Sequence, residues 1–422
     1  MTPTAGPPVV APPARQNNRR RPPSHAGQAA QRVLDHNRIS LRIPAIGTVT
    51  LPPAHHLGWY AGVAALAALE CIEWPVAVVL AVGAIVWSAG VTLGYDFHAY
   101  EGAARRLLAG ERLYDPAIDA AGGFAIYLYP PPFALAIIPL ALLGGSTAVW
   151  VWTALLVAAL LVGVALLPVS RTVRWLVLLL GALDWPFLYS IKLGQVGPIL
   201  LLLFAIGWRW LDNPNRLGAS IGLGTLVKVQ PGVLIGWAAL TGRWRAAAIA
   251  VAVVVVGAML ATAVAGIQPW FDYPALLGRV SSPLATPHNF TPGAIAYQAG
   301  LSLQVAGAIQ AVAVVVALVA VVVAARRSAS DASYLVAVVA SQLLSPLLWD
   351  HYAMLLLLPV AWLLERRQWW AVAVPVATSI LLVGALPVAI YPIAFATCLL
   401  APIAVGWRRT DGGRVLAGSA AA

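Results

Sequence analysis

The sequence predicts an all-α polytopic membrane protein, and three observations carry that reading. Hydrophobic residues make up 61% of the chain and charged residues 10%, far from the fractions of a soluble domain. Apolar segments recur from Leu57 to Trp407, many near the ~20 residues that cross a hydrocarbon core. The basic residues stand in small groups between those segments, so the net charge of +11 reads as positive-inside topology, with membrane lipids as neighbours and no nucleic acid as partner.

Residues 1–56 are rich in Pro, Ala and Arg and include the run Arg19, Arg20, Arg21; such a composition buries no core and predicts a disordered cytoplasmic tail. No small-residue cleavage site follows the first apolar stretch, which excludes a signal peptide. Residues 57–410 form the transmembrane domain, and residues 411–422 a short cytoplasmic tail. Leu57 to Cys71 is short for a span and ends among Glu70 and Glu73, so it is an interfacial helix or the lower part of the first span. Pro75 to Gly94 has the length of a full span. The two cysteines, Cys71 and Cys398, lie in apolar segments, which excludes a disulfide scaffold and a cysteine zinc site.

A hydrophilic stretch from Gly94 to Pro132 follows, and then the apolar segments Phe133 to Leu143, Ser146 to Leu167, Val173 to Tyr189, Pro198 to Trp210, Leu217 to Thr241, Ala246 to Gly266, Leu303 to Ala325, Ser333 to Leu364, Trp369 to Val388 and Tyr391 to Trp407. Some are short and two are too long. With Phe133 to Leu143 as a surface helix and the two long segments as hairpins, the total is about 12 spans, a bundle with a large first external loop. The clusters at Arg171, Arg209, Arg243, Arg326, Arg366 and Arg408 then share the cytoplasmic side with both termini.

This arrangement gathers the remaining polar residues on the opposite side. Asp96, His98 and Tyr100 open the first loop, with Tyr129 near its end; Lys192 and Gln195 lie in KLGQVG, Lys228 in KVQP, His288 and Asn289 in a later loop, and Trp349, Asp350, His351 and Tyr352 in WDHY. Asp96 directly follows a span among Tyr95, Phe97, His98 and Tyr100, a position that suits a helix N-cap or a catalytic carboxylate. Asp115 and Asp119, in DPAID, read as solvated turn acids. Lys228 interrupts an apolar run, where a lysine needs a structural carboxylate or an anionic ligand. Lys192 suits snorkelling to the interface, and Gln195 suits satisfying exposed carbonyls. At WDHY a charge, an imidazole and a phenol adjoin a span break after Ser345-Pro346, which favours function. No His-x-x-x-His or similar helix-borne signature, phosphate loop or dinucleotide glycine pattern occurs, so a soluble nucleotide is not expected, and a two-histidine, two-carboxylate metal site at Asp96, His98, Asp350 and His351 is the less favoured alternative.

The ordered set DFHAY, AGERLY, YPPPFALAIIPLALL, GQVGPILLLL, KVQP and SPLLWDHY resembles the polytopic glycosyltransferases of GT-C architecture, specifically glycosyltransferase family 87, from about Asp96 to Tyr352. Where such proteins often carry GQ-x-N this chain has Gly197, and where they often carry paired histidines it has His351 followed by Tyr352. The resemblance implies a bacterial-type plasma-membrane enzyme that moves a hexose, mannose foremost, from a polyprenyl-phosphate sugar donor to a glycolipid or glycan acceptor outside the cytoplasm. It implies an inverting displacement with Asp96 as base, and Lys228 and His351, then Lys192 and Gln195, against the leaving phosphate. Substrate contacts would come from His98, Tyr100, Tyr129, His288, Asn289, Trp349, Asp350 and Tyr352, and no metal or other cofactor is required, since the phosphate departs on its lipid. Broken spans with polar residues also suit a transporter or lipid flippase, although the two halves show no internal repeat.

Overall fold

The computed structural model describes residues 41–43, 47–49, 74–114, 126–279, 283–286, 288–382 and 384–407. The reading of residues 1–56 as disordered, the segment Leu57 to Cys71, the turn acids Asp115 and Asp119, and the C-terminal tail lie mainly or wholly outside these. Two short strands, Leu41–Ile43 and Gly47–Val49, pair antiparallel as a ribbon in the first of two units. Every other regular element among the described residues is helical.

Among the described residues three helices are long and apolar enough to cross a membrane: Gly145–Leu166, Trp244–Ala265 and Leu303–Arg327. A fourth candidate is bent, with Val78–Thr92 meeting Phe97–Leu108 at 56°. The long helices Trp244–Ala265 and Leu303–Arg327 are rich in Ala and Val and leave Val255, Val256, Met259, Val312 and Val315 exposed, the pattern of an outer, lipid-facing layer. By contrast Ser330–Leu343 buries every residue from Ala332 to Gln342, and the run His351 to Leu364 is buried throughout. A stretch that is apolar all round belongs at the centre of a bundle. Its polar side chains are tied to neighbours: the Trp237 indole donates to Ser333 Oγ (3.2 Å), and the Tyr334 hydroxyl to the Phe204 carbonyl (2.9 Å).

The two long apolar segments break where the sequence places the breaks. Helix Pro214–Val227 ends at Lys228, before Val233–Leu240. Ser330–Leu343 ends before Ser345-Pro346, and the chain resumes as the 3-10 helix Asp350–Leu356 and then Leu357–Glu365. Phe133 to Leu143 forms Pro131–Leu143, which buries Phe133, Ala134 and Ile137 while exposing Leu142 and Leu143.

Two other segments depart from a single span. Val173 to Tyr189 divides into Arg171–Leu183 and Trp185–Leu193 at Asp184. Trp369 to Val388 keeps only Trp369–Val372 and Ala373–Ala377 as helix. The two breaks pair with each other: Trp185 N–H donates to the Thr378 carbonyl (3.2 Å), and Ile380 N–H to the Leu183 carbonyl (3.0 Å). Asp184 Oδ1 accepts from the Thr378 hydroxyl at 2.8 Å. Backbone groups released from both helices are satisfied across this junction, which is how irregular backbone persists inside an apolar body.

Candidate active site

Asp96 is placed by backbone. Its N–H donates to the Leu193 carbonyl (2.8 Å), and the Gly94 N–H to the Lys192 carbonyl (2.9 Å), so the start of the first loop is stitched to the end of helix Trp185–Leu193. Gly94 and Gly194 both have φ of +74°. A Cβ on Gly194 would stand 2.9 Å from Phe97 Cβ and 3.2 Å from Gly94 Cα, so only glycine allows this left-handed turn at this approach. Trp152 closes the corner, its indole N–H donating to the Gly194 carbonyl (2.7 Å) while its ring stacks on Phe97 at 5.3 Å.

Asp96 occupies the N-cap of helix Phe97–Leu108, yet its side chain makes no capping bond. It turns instead to Gln195, whose amide N–H donates to Asp96 Oδ2 at 2.5 Å. The Gln195 carbonyl accepts from the Tyr129 hydroxyl (2.8 Å), and the Tyr100 hydroxyl, 3.3 Å from that carbonyl, donates to the Tyr129 hydroxyl (2.8 Å). Burial raises the Asp96 carboxyl above its ordinary value, against the lowering effects of the Gln195 bond and the charges of His351 and Lys228.

The basic side lies beyond Tyr129. Lys228 Nζ is 5.3 Å from the Tyr129 ring centre and 4.0 Å from that of Tyr352, and it donates to the Tyr352 hydroxyl at 2.6 Å. The His351 ring packs 4.9 Å from Tyr352 and 6.4 Å from Tyr189. Only 3% of His351 is exposed, and neither ring nitrogen has a hydrogen-bond partner among the described residues. Asp350 is the adjacent carboxylate, 3.7 Å from His351 Nδ1; it accepts the Trp185 indole N–H (3.0 Å) and the His351 backbone N–H (2.8 Å).

Asp96, Tyr100, Tyr129, Gln195, Lys228, His351 and Tyr352 therefore form one continuous cluster drawn from four parts of the sequence. Other expected residues stand apart from it. His98 is half-exposed and faces Glu101 at 3.5 Å, a carboxylate that Arg105 also holds at 2.7 Å. Asn289 is buried as a tie: its side chain donates to the Pro346 carbonyl and accepts from the backbone N–H groups of Thr291 and Leu348. His288 sits on an exposed turn at φ 59°, and Lys192 and Trp349 are partly buried beside the cluster's elements. Sequence reasoning missed Tyr273, half-buried on Pro269–Arg279, whose phenol is pushed up to about 12 by burial and by the neighbouring Tyr352. It also missed Trp185, which fixes Asp350; the available signal for both was an aromatic between an aspartate and a proline, Asp184-Trp185-Pro186 and Asp272-Tyr273-Pro274.

Residues 127–348, more than half of the chain, match glycosyltransferase family 87. The chain is 27% identical over 383 residues to the polyprenol-phosphate-mannose-dependent alpha-(1-2)-phosphatidylinositol mannoside mannosyltransferase of Mycobacterium tuberculosis, covering 82% of this chain and 87% of that protein. It is 28% identical over 290 residues to the polyprenol-phosphate-mannose-dependent alpha-(1-2)-phosphatidylinositol pentamannoside mannosyltransferase of Mycolicibacterium smegmatis, covering 64% and 69%. No solved structure matches it. The family match takes in Tyr129, Gln195 and Lys228 and ends just before Asp350 and His351; on that match the chain belongs to glycosyltransferase family 87 and is a glycosyltransferase.

Proposed function

We propose that this glycosyltransferase moves mannose from a polyprenyl-phosphate donor to a hydroxyl of a glycolipid or glycan, with inversion, at a site open to the external side of the membrane. The observation that carries the reading is the cluster itself: a carboxylate without a capping role, joined through Tyr129 to a buried lysine, with a buried imidazole whose ring nitrogens make no hydrogen bond among the described residues. Buried polar groups without hydrogen bonds are costly in a folded protein, and a lipid phosphate supplies an acceptor for His351 and a charged one for Lys228, which otherwise meets only a phenol. The names of both relatives specify a polyprenol-phosphate-mannose donor and a phosphatidylinositol mannoside acceptor, which supports a lipid-linked sugar at each end.

In the proposed reaction Asp96 takes the acceptor hydroxyl proton as that oxygen bonds to the anomeric carbon. The bond from the anomeric carbon to the phosphate oxygen breaks, and its electron pair leaves with the polyprenyl phosphate. Lys228 meets the developing charge as a cation, and His351 meets it as an N–H donor. Trp349 offers an indole face for a sugar ring.

The proposed topology has about 12 spans with both termini cytoplasmic. Membranes containing the chain, given a panel of radiolabelled polyprenyl-phosphate sugars, are expected to transfer label from the mannose donor into lipid-extractable product. Transfer from a soluble sugar nucleotide with none from the lipid donor overturns the reading. A reporter active only outside the cytoplasm is expected to work after Gln268 and to be silent after Arg326; activity at Arg326 breaks the topology.

A further inference from the structure

We infer that Gln195 is the positioning residue of Asp96, the last link of a one-way hydrogen-bond chain from Tyr100 through Tyr129, and that Asp96 acts through Oδ1. This rests on the reading of Asp96 as the base. It differs from the expectation that Gln195 binds the donor phosphate.

The direction of the chain follows from donor and acceptor chemistry. An ionised carboxylate only accepts, so the group that Gln195 turns to Asp96 Oδ2, at 2.5 Å, is its NH2. The Gln195 carbonyl then points the other way and needs donors. It receives the Tyr129 hydroxyl at 2.8 Å, and the Tyr100 hydroxyl, 3.3 Å from the same carbonyl, gives its single proton to Tyr129 at 2.8 Å. A flipped amide would set its carbonyl against the carboxylate, so ionised Asp96 and the two phenols select the same orientation. The phenols are themselves fixed, with the Tyr100 and Tyr129 rings in edge contact at 4.8 Å and Phe133 5.2 and 5.1 Å from them. Tyr100 and Gln195 are buried, and the corner that carries Gln195 is set by Gly194 and Trp152.

Two consequences follow for the reaction. A bond donated to a carboxylate favours the charged form, so the Gln195 bond opposes the burial that raises Asp96. With Oδ2 engaged and Asp96 partly exposed, Oδ1 has no side-chain partner among the described residues and is the oxygen left for the acceptor proton.

The test uses the full chain in membranes or detergent, with Gln195→Met, Tyr129→Phe and Asp96→Asn compared for turnover, for affinity toward polyprenyl-phosphate mannose, and for the acidic limb of the pH profile. Gln195→Met is expected to lower turnover about 10-fold or more, to move the acidic limb to higher pH, and to leave donor affinity within about 2-fold, well inside the change a lost charged bond gives. The limb moves upward because the base is active when ionised and has lost the bond favouring that form. Tyr129→Phe keeps the ring and is expected to move the limb the same way by less, since Tyr100 still reaches the Gln195 carbonyl. If Gln195→Met does not insert, the Tyr129→Phe limb decides alone. Weakened donor binding with an unmoved limb overturns the positioning role and returns Gln195 to the phosphate. Full turnover in Asp96→Asn instead overturns the assignment of the base, whatever the other two variants do.

Discussion

On the Asp96 side of the site each polar group meets another, from the Tyr100 hydroxyl through Tyr129 and Gln195 to the carboxylate. On the Lys228 side the ammonium meets a phenol rather than a carboxylate, and His351 is buried with both ring nitrogens unpartnered among the described residues. The contrast separates two kinds of preparation. A satisfied network holds a reacting group in one orientation before substrate arrives, so no reorganisation is needed during reaction. A buried lysine held by a phenol, beside an imidazole without a hydrogen bond, is costly until something completes the pair, and an anion would complete it.

The sharpest way to break the comparison is Asp96→Asn. The amide keeps the size of the carboxylate and loses its basicity, and no capping bond is lost because none is made. Turnover is expected to fall about 100-fold to 10,000-fold, the ordinary range for a lost general base, while donor binding and thermal stability hold. Near-normal turnover with intact binding would show that the ordered side is only scaffolding.

The basic side is tested by Lys228→Met, which keeps length and removes charge. Donor affinity is expected to fall about 10-fold to 100-fold, as for loss of a charged hydrogen bond, in a protein that still inserts. If Lys228→Met instead fails to accumulate and removal of a nearby carboxylate restores it, the lysine is structural.

Much of the body was legible because its signals are local. A lysine in an apolar run and Ser-Pro before WDHY mark chain breaks by cost alone, and both breaks occur. Asp96 stood out as a carboxylate at the end of a span. The junction of Asp184 with Thr378 was not legible, because each side reads as an ordinary apolar span and its pairing is tertiary. Gln195 was visible, but the direction of its amide depends on two tyrosines far away in sequence. Asn289 was polar in the right loop, and nothing local says that its amide serves backbone rather than substrate.

Asn289 accordingly supplies a prediction of intermediate size. Asn289→Ala leaves the buried N–H groups of Thr291 and Leu348 without their acceptor, at a cost of about 1–3 kcal/mol for such a loss. Thermal unfolding in detergent is expected to come at lower temperature, with donor affinity near normal below the transition. Weakened donor binding without lost stability would return Asn289 to the site and enlarge the basic side.

The smallest expected effect is at His98. It adjoins Asp96 in DFHAY, and by sequence proximity it belongs with the ordered side. Its imidazole is half-exposed, however, and faces Glu101 at 3.5 Å, while Arg105 already binds Glu101 at 2.7 Å. Glu101 is buried, but His98 is half-exposed and the contact is long, so the pair contributes about 0–1 kcal/mol, and the Arg105 bond persists without the histidine. His98→Ala is therefore expected to change turnover by less than about 5-fold, consistent with that small energy, and to leave the acidic limb of the pH profile where it was. That last measurement matters most, because Asp96 and His98 are two residues apart while only Asp96 is joined to the tyrosine chain. A limb that moves in His98→Ala as it moves in Gln195→Met would mean that the imidazole, rather than the amide, sets the state of Asp96.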